Sequence, residues 1–207
     1  MPKPFLILFG FFLLGISSAG LCQPDTLRYE DGALKAFGKL KNGKKQGKWQ
    51  SFYPNSVRSA VEFYKQGELD GSCKYYSFEG KLLSEEQWKM GLPHGEANYY
   101  LPNGKLEKSG SYLNGAYEGE WKFYYESGLL KRQGSYSSGL PNGKWTFYHE
   151  NGKKWQEGNF IASKEDGHWV FYTEEGKIEF EGNFEKGKKV GEWFKYNKKG
   201  KKKPMKY

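Results

Sequence analysis

The residues of this chain best equipped for chemistry are three histidines, His94, His149 and His168, two cysteines, Cys22 and Cys73, and a carboxylate or amide recurring at Gln133, Glu157 and Glu181. A metal site needs His or Cys ligands at short, matched spacings, and none of the three histidines has such a companion. A nucleophile elbow needs a strand, a sharp turn and a helix, and Ser17, Ser18 and the Gly-x-Ser-like pieces lack that setting. Acid–base catalysis needs different groups converging in a shielded pocket. Gln133, Glu157 and Glu181 instead recur at one phase, just before Gly134, Gly158 and Gly182, and are predicted to face Lys122, Thr146 and Val170 across hairpins. The expectation is a protein with no catalytic residues, no metal and no cofactor.

The elements that would position such groups are set by a period. Glycines stand at Gly47, Gly71, Gly95, Gly119, Gly143, Gly167 and Gly191, each 24 residues after the last. Two residues on come Trp49, Cys73, Ala97, Trp121, Trp145, Trp169 and Trp193. Tyr or Phe follows in phase, from Phe52 and Tyr76 to Tyr196. Tyr64, Trp88, Tyr112, Tyr136, Phe160 and Phe184 hold a later phase, and Gly32, Gly38 and Gly43 mark a partial unit ahead of the array. Self-similarity at a fixed period of this size is the mark of a repeat architecture.

Each unit reads as two short strands. Asn103-Gly104 and Asn151-Gly152 between alternating residues signal two-residue hairpin loops. The other connection, such as Gly139 to Gly143, reads as longer, with Pro93 and Pro141 placed in turns. With Asn151 and Gly152 as the loop, Glu150 faces Lys153, Tyr148 faces Trp155, Trp145 faces Gly158 and Gly143 faces Phe160. The same register pairs Trp121 with Gly134, Gly119 with Tyr136, and Trp169 with Gly182. A large ring lying over a bare backbone recovers part of what glycine costs a strand. Gly119, Trp121, Gly134, Gly143, Trp145, Gly158, Phe160, Gly167, Trp169, Gly182 and Phe184 therefore form the structural face. Lys144, Thr146, Glu157 and Asn159 lie on the other. Tyr124, Tyr148, Trp155 and Tyr172 are predicted to point to that polar face, as the candidate binding aromatics. The fold class expected is all-β, a single elongated, twisted antiparallel sheet of tandem 24-residue hairpins with about fifteen strands.

The unit G-x-W-x-F-Y-x-x-N-G-K-x-x-x-E-G-x-F-x-x-G resembles a MORN repeat, in the variant found in tandem in exported bacterial proteins, some of which carry an antitoxin designation. The resemblance runs from about Arg28 to Gly200. It implies an elongated sheet of successive hairpins and a scaffold or binding role, and it brings no catalytic residues. The early units depart from the pattern: Ser56 stands for the turn glycine, and Cys73 and Ala97 stand for Trp.

The ends of the chain add a location. Met1-Pro2-Lys3, the apolar run Phe5 to Ile16 and the small residues after it read as a secretory signal peptide over residues 1–22, too short to span a membrane comfortably. Bulky Leu21 beside Cys22 argues against a lipoprotein. The array follows over 23–197, and a Lys-rich tail over 198–207. Charge is uneven. Gln23 to Lys48 has seven bases and three acids, Trp49 to Glu185 fifteen and twenty, and Lys186 onward ten and one. An acidic middle in an exported chain disfavours nucleic acid. The expectation is a monomeric, non-catalytic scaffold in the periplasm, at the envelope or secreted, binding a protein partner. Glycan or anionic-surface binding, and an immunity or antitoxin-like role, are the alternatives.

Overall fold

The computed structural model describes residues 24–206. The predicted leader and Cys22 lie outside them, as does Tyr207. Among the described residues there is no helix, and seventeen strands form one antiparallel sheet. Each strand pairs with its neighbours in the chain, from Asp25–Arg28 at one edge to Lys202–Met205 at the other. Glu68–Leu69 and Gly71–Tyr76 are two halves of one broken strand, both paired with Arg58–Lys65. That break, and the strand inside the tail, account for the count above fifteen.

The register expected at the repeat centre is the one observed. Gly143 pairs with Phe160, Trp145 with Gly158, and Thr146 with Glu157. The turns are the other way round from the expectation. At Asn151-Gly152 the connection is longer than two residues: His149 N–H donates to the Lys153 carbonyl at 2.8 Å, and Gly152 N–H to the His149 carbonyl at 2.9 Å. A two-residue type I′ loop needs positive φ at both central residues. Here only Gly152 has it, at 81°. The Asn151 carboxamide instead accepts the Lys153 N–H at 2.9 Å. The register therefore slips after Phe147, so Tyr148 pairs with Lys154 and Trp155 is the extra, bulged residue. The two-residue loops lie at the opposite ends of the strands. Asn114-Gly115 has φ of 51° and 85°, and Leu113 pairs with Ala116 across it. Pro93 and Pro141 sit inside strands, and their carbonyls accept Gly115 and Ser163 N–H groups of the next turn.

Ala162-Ser163 makes this turn without glycine, at φ of 45° and 69°. A left-handed conformation costs an L-residue about 1–2 kcal/mol. Ser163→Gly is expected to stabilise the chain by about 1 kcal/mol, raising Tm by about 2–4 °C. A calorimetric scan checks it, and an unchanged or lower Tm contradicts the turn assignment.

The core is one face of this single sheet. Its buried apolar residues are Trp49, Trp121, Trp145, Trp169 and Trp193, with Ala36, Ala60, Cys73 and Ala97. At Gly143, where φ is 83°, the strand bends, and pairing with the preceding strand is interrupted between Gly134 and Tyr136. The bend swings Trp145 back over the preceding strand. A Cβ on Gly134 would lie 2.2 Å from Trp145 Cδ2, and one on Gly158 would lie 2.2 Å from Trp169 Cδ2. Each ring thus covers the glycine of the strand before it, although for Trp121, Trp145 and Trp169 the hairpin partner is also a glycine. This corrects the expectation that Trp145 lies over Gly158. Each indole N–H is satisfied as well, with Trp145 donating to the Ser135 carbonyl at 3.1 Å and Trp169 to the Asn159 carbonyl at 3.2 Å. The rings of Tyr136, Trp145, Phe160, Trp169, Phe184 and Trp193 meet edge to face in succession, with centroids 5.0–6.0 Å apart. Such contacts add to plain area burial.

The last hairpin breaks register. Trp193 pairs with Met205, one residue earlier than the phase of Gly158 requires, with no bulge. A one-residue slip reverses the faces of a strand. It puts Met205 beside the aromatic layer, while Lys202 keeps the polar-face place that Lys154 holds opposite Tyr148, so residues 202–205 of the expected tail belong to the sheet.

Candidate functional site

Across the sheet from the tryptophans runs a row of tyrosines at one phase. The alternation of strand side chains places Tyr124, Tyr148 and Tyr172 there, all half-buried. Trp155 is not with them. As the bulged residue it packs against Phe147 and His149, with ring centroids 6.3 Å away in each case, on the side of the aromatic layer, and it is 47% exposed. The four predicted binding aromatics therefore divide between two faces, because a bulge adds one residue and shifts the alternation of its strand relative to the partner. The pairing sets Trp121 opposite Gly134, Trp145 opposite Gly158 and Trp169 opposite Gly182, with Phe160 and Phe184 against the same tryptophan layer.

At Tyr100, Tyr148, Tyr172 and Tyr196 the hydroxyls of this row are engaged within the sheet. Tyr172 donates to Glu157 Oε1 at 2.7 Å, and Tyr196 to Glu181 Oε1 at 2.6 Å. Tyr100 donates to Glu85 at 3.4 Å, and Tyr148 accepts from Gln133 Nε2 at 3.4 Å. Each partner lies on the second strand of the unit before, so these bonds tie successive hairpins together. Lysines complete the ladder. Lys154 and Lys144 lie 2.9 Å and 3.4 Å from Glu157, Lys202 lies 2.7 Å from Glu181, and Lys74 pairs with Glu85. Burial alone would raise the Glu157 carboxyl, but the hydrogen bonds from Tyr172, Lys154 and Lys144 outweigh it and hold it at about 2. Lys202 and Tyr196 lower Glu181. Burial, then Glu157, pushes Tyr172 up to about 12. At neutral pH Glu157 is a fixed anion and Tyr172 a fixed neutral donor, so neither is poised to exchange a proton. Two shallow depressions on this face, of about 330 and 480 Å³, are lined by Lys144, Glu157, His168 and Val170, and by Glu120, Gln133, Tyr148 and Lys154. His168 sits 3.6 Å from Glu181, His149 Nε2 3.2 Å from the Tyr172 carbonyl, and His94 3.2 Å from Asn114, three separate settings. Among the described residues no three His, Cys, Asp or Glu are arranged to hold a metal ion.

The depressed Glu157 carboxyl gives a signed prediction. Its contribution to stability is complete above the unfolded value near 4.5 and is lost as pH falls from there towards about 2. Urea midpoints for Glu157→Gln should fall less steeply than those of the native chain over that window. Parallel curves would contradict the network.

Sequence reasoning missed a second cluster. Where other units place glycine beneath a Trp, Glu62 and Glu86 stand beneath Cys73 and Ala97, and Tyr75 and Tyr99 replace the Phe of that phase. Tyr64 donates to Glu62 at 3.0 Å, Trp88 to Glu86 at 3.1 Å, and the Tyr99 and Tyr112 hydroxyls meet at 3.0 Å. Glu86 is buried and Cys73 fully so, and burial raises the Cys73 thiol. The signal was present in the coincidence of the two departures, eleven residues apart, in both units.

Five stretches, residues 69–90, 93–114, 117–138, 141–162 and 165–186, match the MORN repeat variant family. No curated protein matches the chain. Among solved structures, the crystal structure of TcdB2-TccC3-Cdc42 is similar at 10% identity and a TM-score of 0.20, over 84% of this chain and 13% of that one. The crystal structure of TcdB2-TccC3 is similar at 10% identity and a TM-score of 0.20, over 84% and 14%. This chain thus spans about an eighth of those proteins, and likenesses at that score bear on neither its fold nor its function.

Proposed function

The chain belongs to the MORN repeat variant family, and from that premise we propose that it is an exported, non-catalytic scaffold that binds a protein partner at the cell envelope. The observation that carries this is the division of its surface. Along the polar face hydroxyls and carboxylates bond to one another between hairpins, while at the two-residue-turn ends of the strands Leu113, Leu140 and Ile161 stay exposed on neighbouring hairpins, by 48, 49 and 57%. Exposed apolar side chains gathered in a patch mark interaction surfaces. The partner is a protein rather than a glycan, because Tyr148 and Trp155, a pair suited to stacking on sugar rings, lie on opposite faces. The apolar leader over residues 1–22 supports export.

The test is photo-cross-linking in intact cells, with a photoreactive residue at Leu113, at Tyr148 or at Trp155. Discrete protein adducts, on a chain whose N-terminus has lost the leader, are expected. Absence of any protein adduct, or an unprocessed chain in the cytoplasm, overturns the reading.

A further inference from the structure

The two-residue turns all lie along one long edge of the sheet, and their residues change character along it. In the middle, Met90, Leu92, Leu113, Leu140 and Ile161 are exposed by 48–67% on four successive turns. Successive turns are two strands apart, about 10 Å, so the apolar stretch runs for about 29 Å. Lys41, Lys44 and Lys65 lie exposed beyond one end of it, and Lys164, Lys186 and Lys188 at the other. Among the described residues, the ion pairs of this sheet involve other lysines than these six. Glu68 stands among the first three, and Glu165 and Glu185 among the second, with Glu165 Oε2 3.5 Å from where a Cβ on Gly187 would lie. The other acids near this edge are turned inward. Asp70, Glu118 and Asp166 accept the backbone N–H groups of Met90, Ser138 and Lys186 in the next turn, at 3.4, 2.9 and 3.3 Å. Lys41 and Lys44 even pair directly across their hairpin, an arrangement that like charges disfavour.

We propose that this turn edge is the docking surface, and that its occupant is an apolar segment of a partner protein flanked by acidic residues at both ends. The inference rests on the binding-module reading above and adds where the partner sits and what chemistry it carries. An apolar stretch of this length accommodates about nine extended residues or about nineteen helical ones. The lysine groups beyond its ends select negative flanks and speed encounter. The chain's own apolar run, Phe5 to Ile16, does not fit, since its nearest charge is Lys3.

The test uses three labelled 20-residue peptides in fluorescence anisotropy: an apolar core with Asp/Glu flanks, the same core with Lys flanks, and a Ser/Asn core with Asp/Glu flanks. The first should bind at least ten-fold more tightly than either of the others and weaken as salt rises. A triple variant, Leu92→Ser, Leu113→Ser and Leu140→Ser, should lose at least ten-fold, and Lys41→Glu with Lys164→Glu at least three-fold. Glu150→Ser, at the opposite turns, should change nothing. All these positions are exposed, so unchanged circular dichroism is expected for every variant. Equal binding of the acid- and Lys-flanked peptides, full binding by the triple variant, or binding to phosphatidylserine vesicles in place of any peptide overturns the assignment. The two readings fail separately. A partner captured in cells that stays bound to the triple variant removes the edge but keeps the module, whereas no captured partner removes the module.

Discussion

Gly158→Ala is expected to destabilise the chain by about 3 kcal/mol, at the upper end of what one added methyl costs a packed site. The new Cβ would sit 2.2 Å from Cδ2, 2.3 Å from Cε2 and 2.5 Å from Cγ of the Trp169 indole. The indole cannot yield easily. It is buried, its N–H is held by the Asn159 carbonyl, and Phe160 and Phe184 abut it edge to face at 5.1 and 5.9 Å. Trp169→Ala alone should cost about 3–5 kcal/mol through lost burial and the cavity left behind. The decisive measurement is the double variant. With Trp169 already removed, Gly158→Ala should add little, so a cycle of urea denaturation curves should show coupling of about 2 kcal/mol or more. Trp145→Ala, which removes the cross-hairpin neighbour of Gly158, should show far weaker coupling to Gly158→Ala. Equal coupling to both tryptophans would mean that the ring sits where the hairpin register alone would put it.

That contrast marks how far the sequence could be read. The strict period and alternation were enough for the strands, the faces and the pairing of Trp145 with Gly158, because side-chain direction in a strand follows from parity. Parity says nothing about which way a ring leans. The lean of Trp145 towards Gly134 comes from the bend at Gly143, a backbone event that composition shows only as one more glycine. The turns were misassigned for a related reason. Asn-Gly favours a two-residue loop, but Asn151 uses its side chain to accept Lys153 N–H and leaves the left-handed conformation to Gly152. The added residue then carried Trp155 to the other face and divided the expected binding aromatics. The apolar edge was hidden because its members, one or two to a turn, are 21 to 27 residues apart from one turn to the next, and no local window of sequence contains two turns of it.

The early units allow the packing rule to be run in reverse. Cys73→Trp restores the residue that the period calls for, yet it is expected to be strongly destabilising, by about 3 kcal/mol or more. The glycine over which a Trp at this phase must lie is Glu62 here, as Gly134 is for Trp145 and Gly158 for Trp169. Cys73 is fully buried, so the indole has no outward escape. It would meet the Glu62 side chain and displace the carboxylate that Tyr64 now holds at 3.0 Å, leaving a partly buried charge short of its donor. Glu62→Gly alone should also destabilise, since it empties the space over Cys73 and removes the acceptor of the Tyr64 hydroxyl. Together the two changes recreate the pair found at Gly134 and Trp145. The double variant should therefore be more stable than either single one, and the new Trp should show the blue-shifted, quencher-protected emission of a buried indole. If the double variant were no better than Cys73→Trp, the Glu62–Cys73 exchange would not be a packing substitution for Gly–Trp. The polar cluster of the early units would then be held by interactions other than those between adjacent strands.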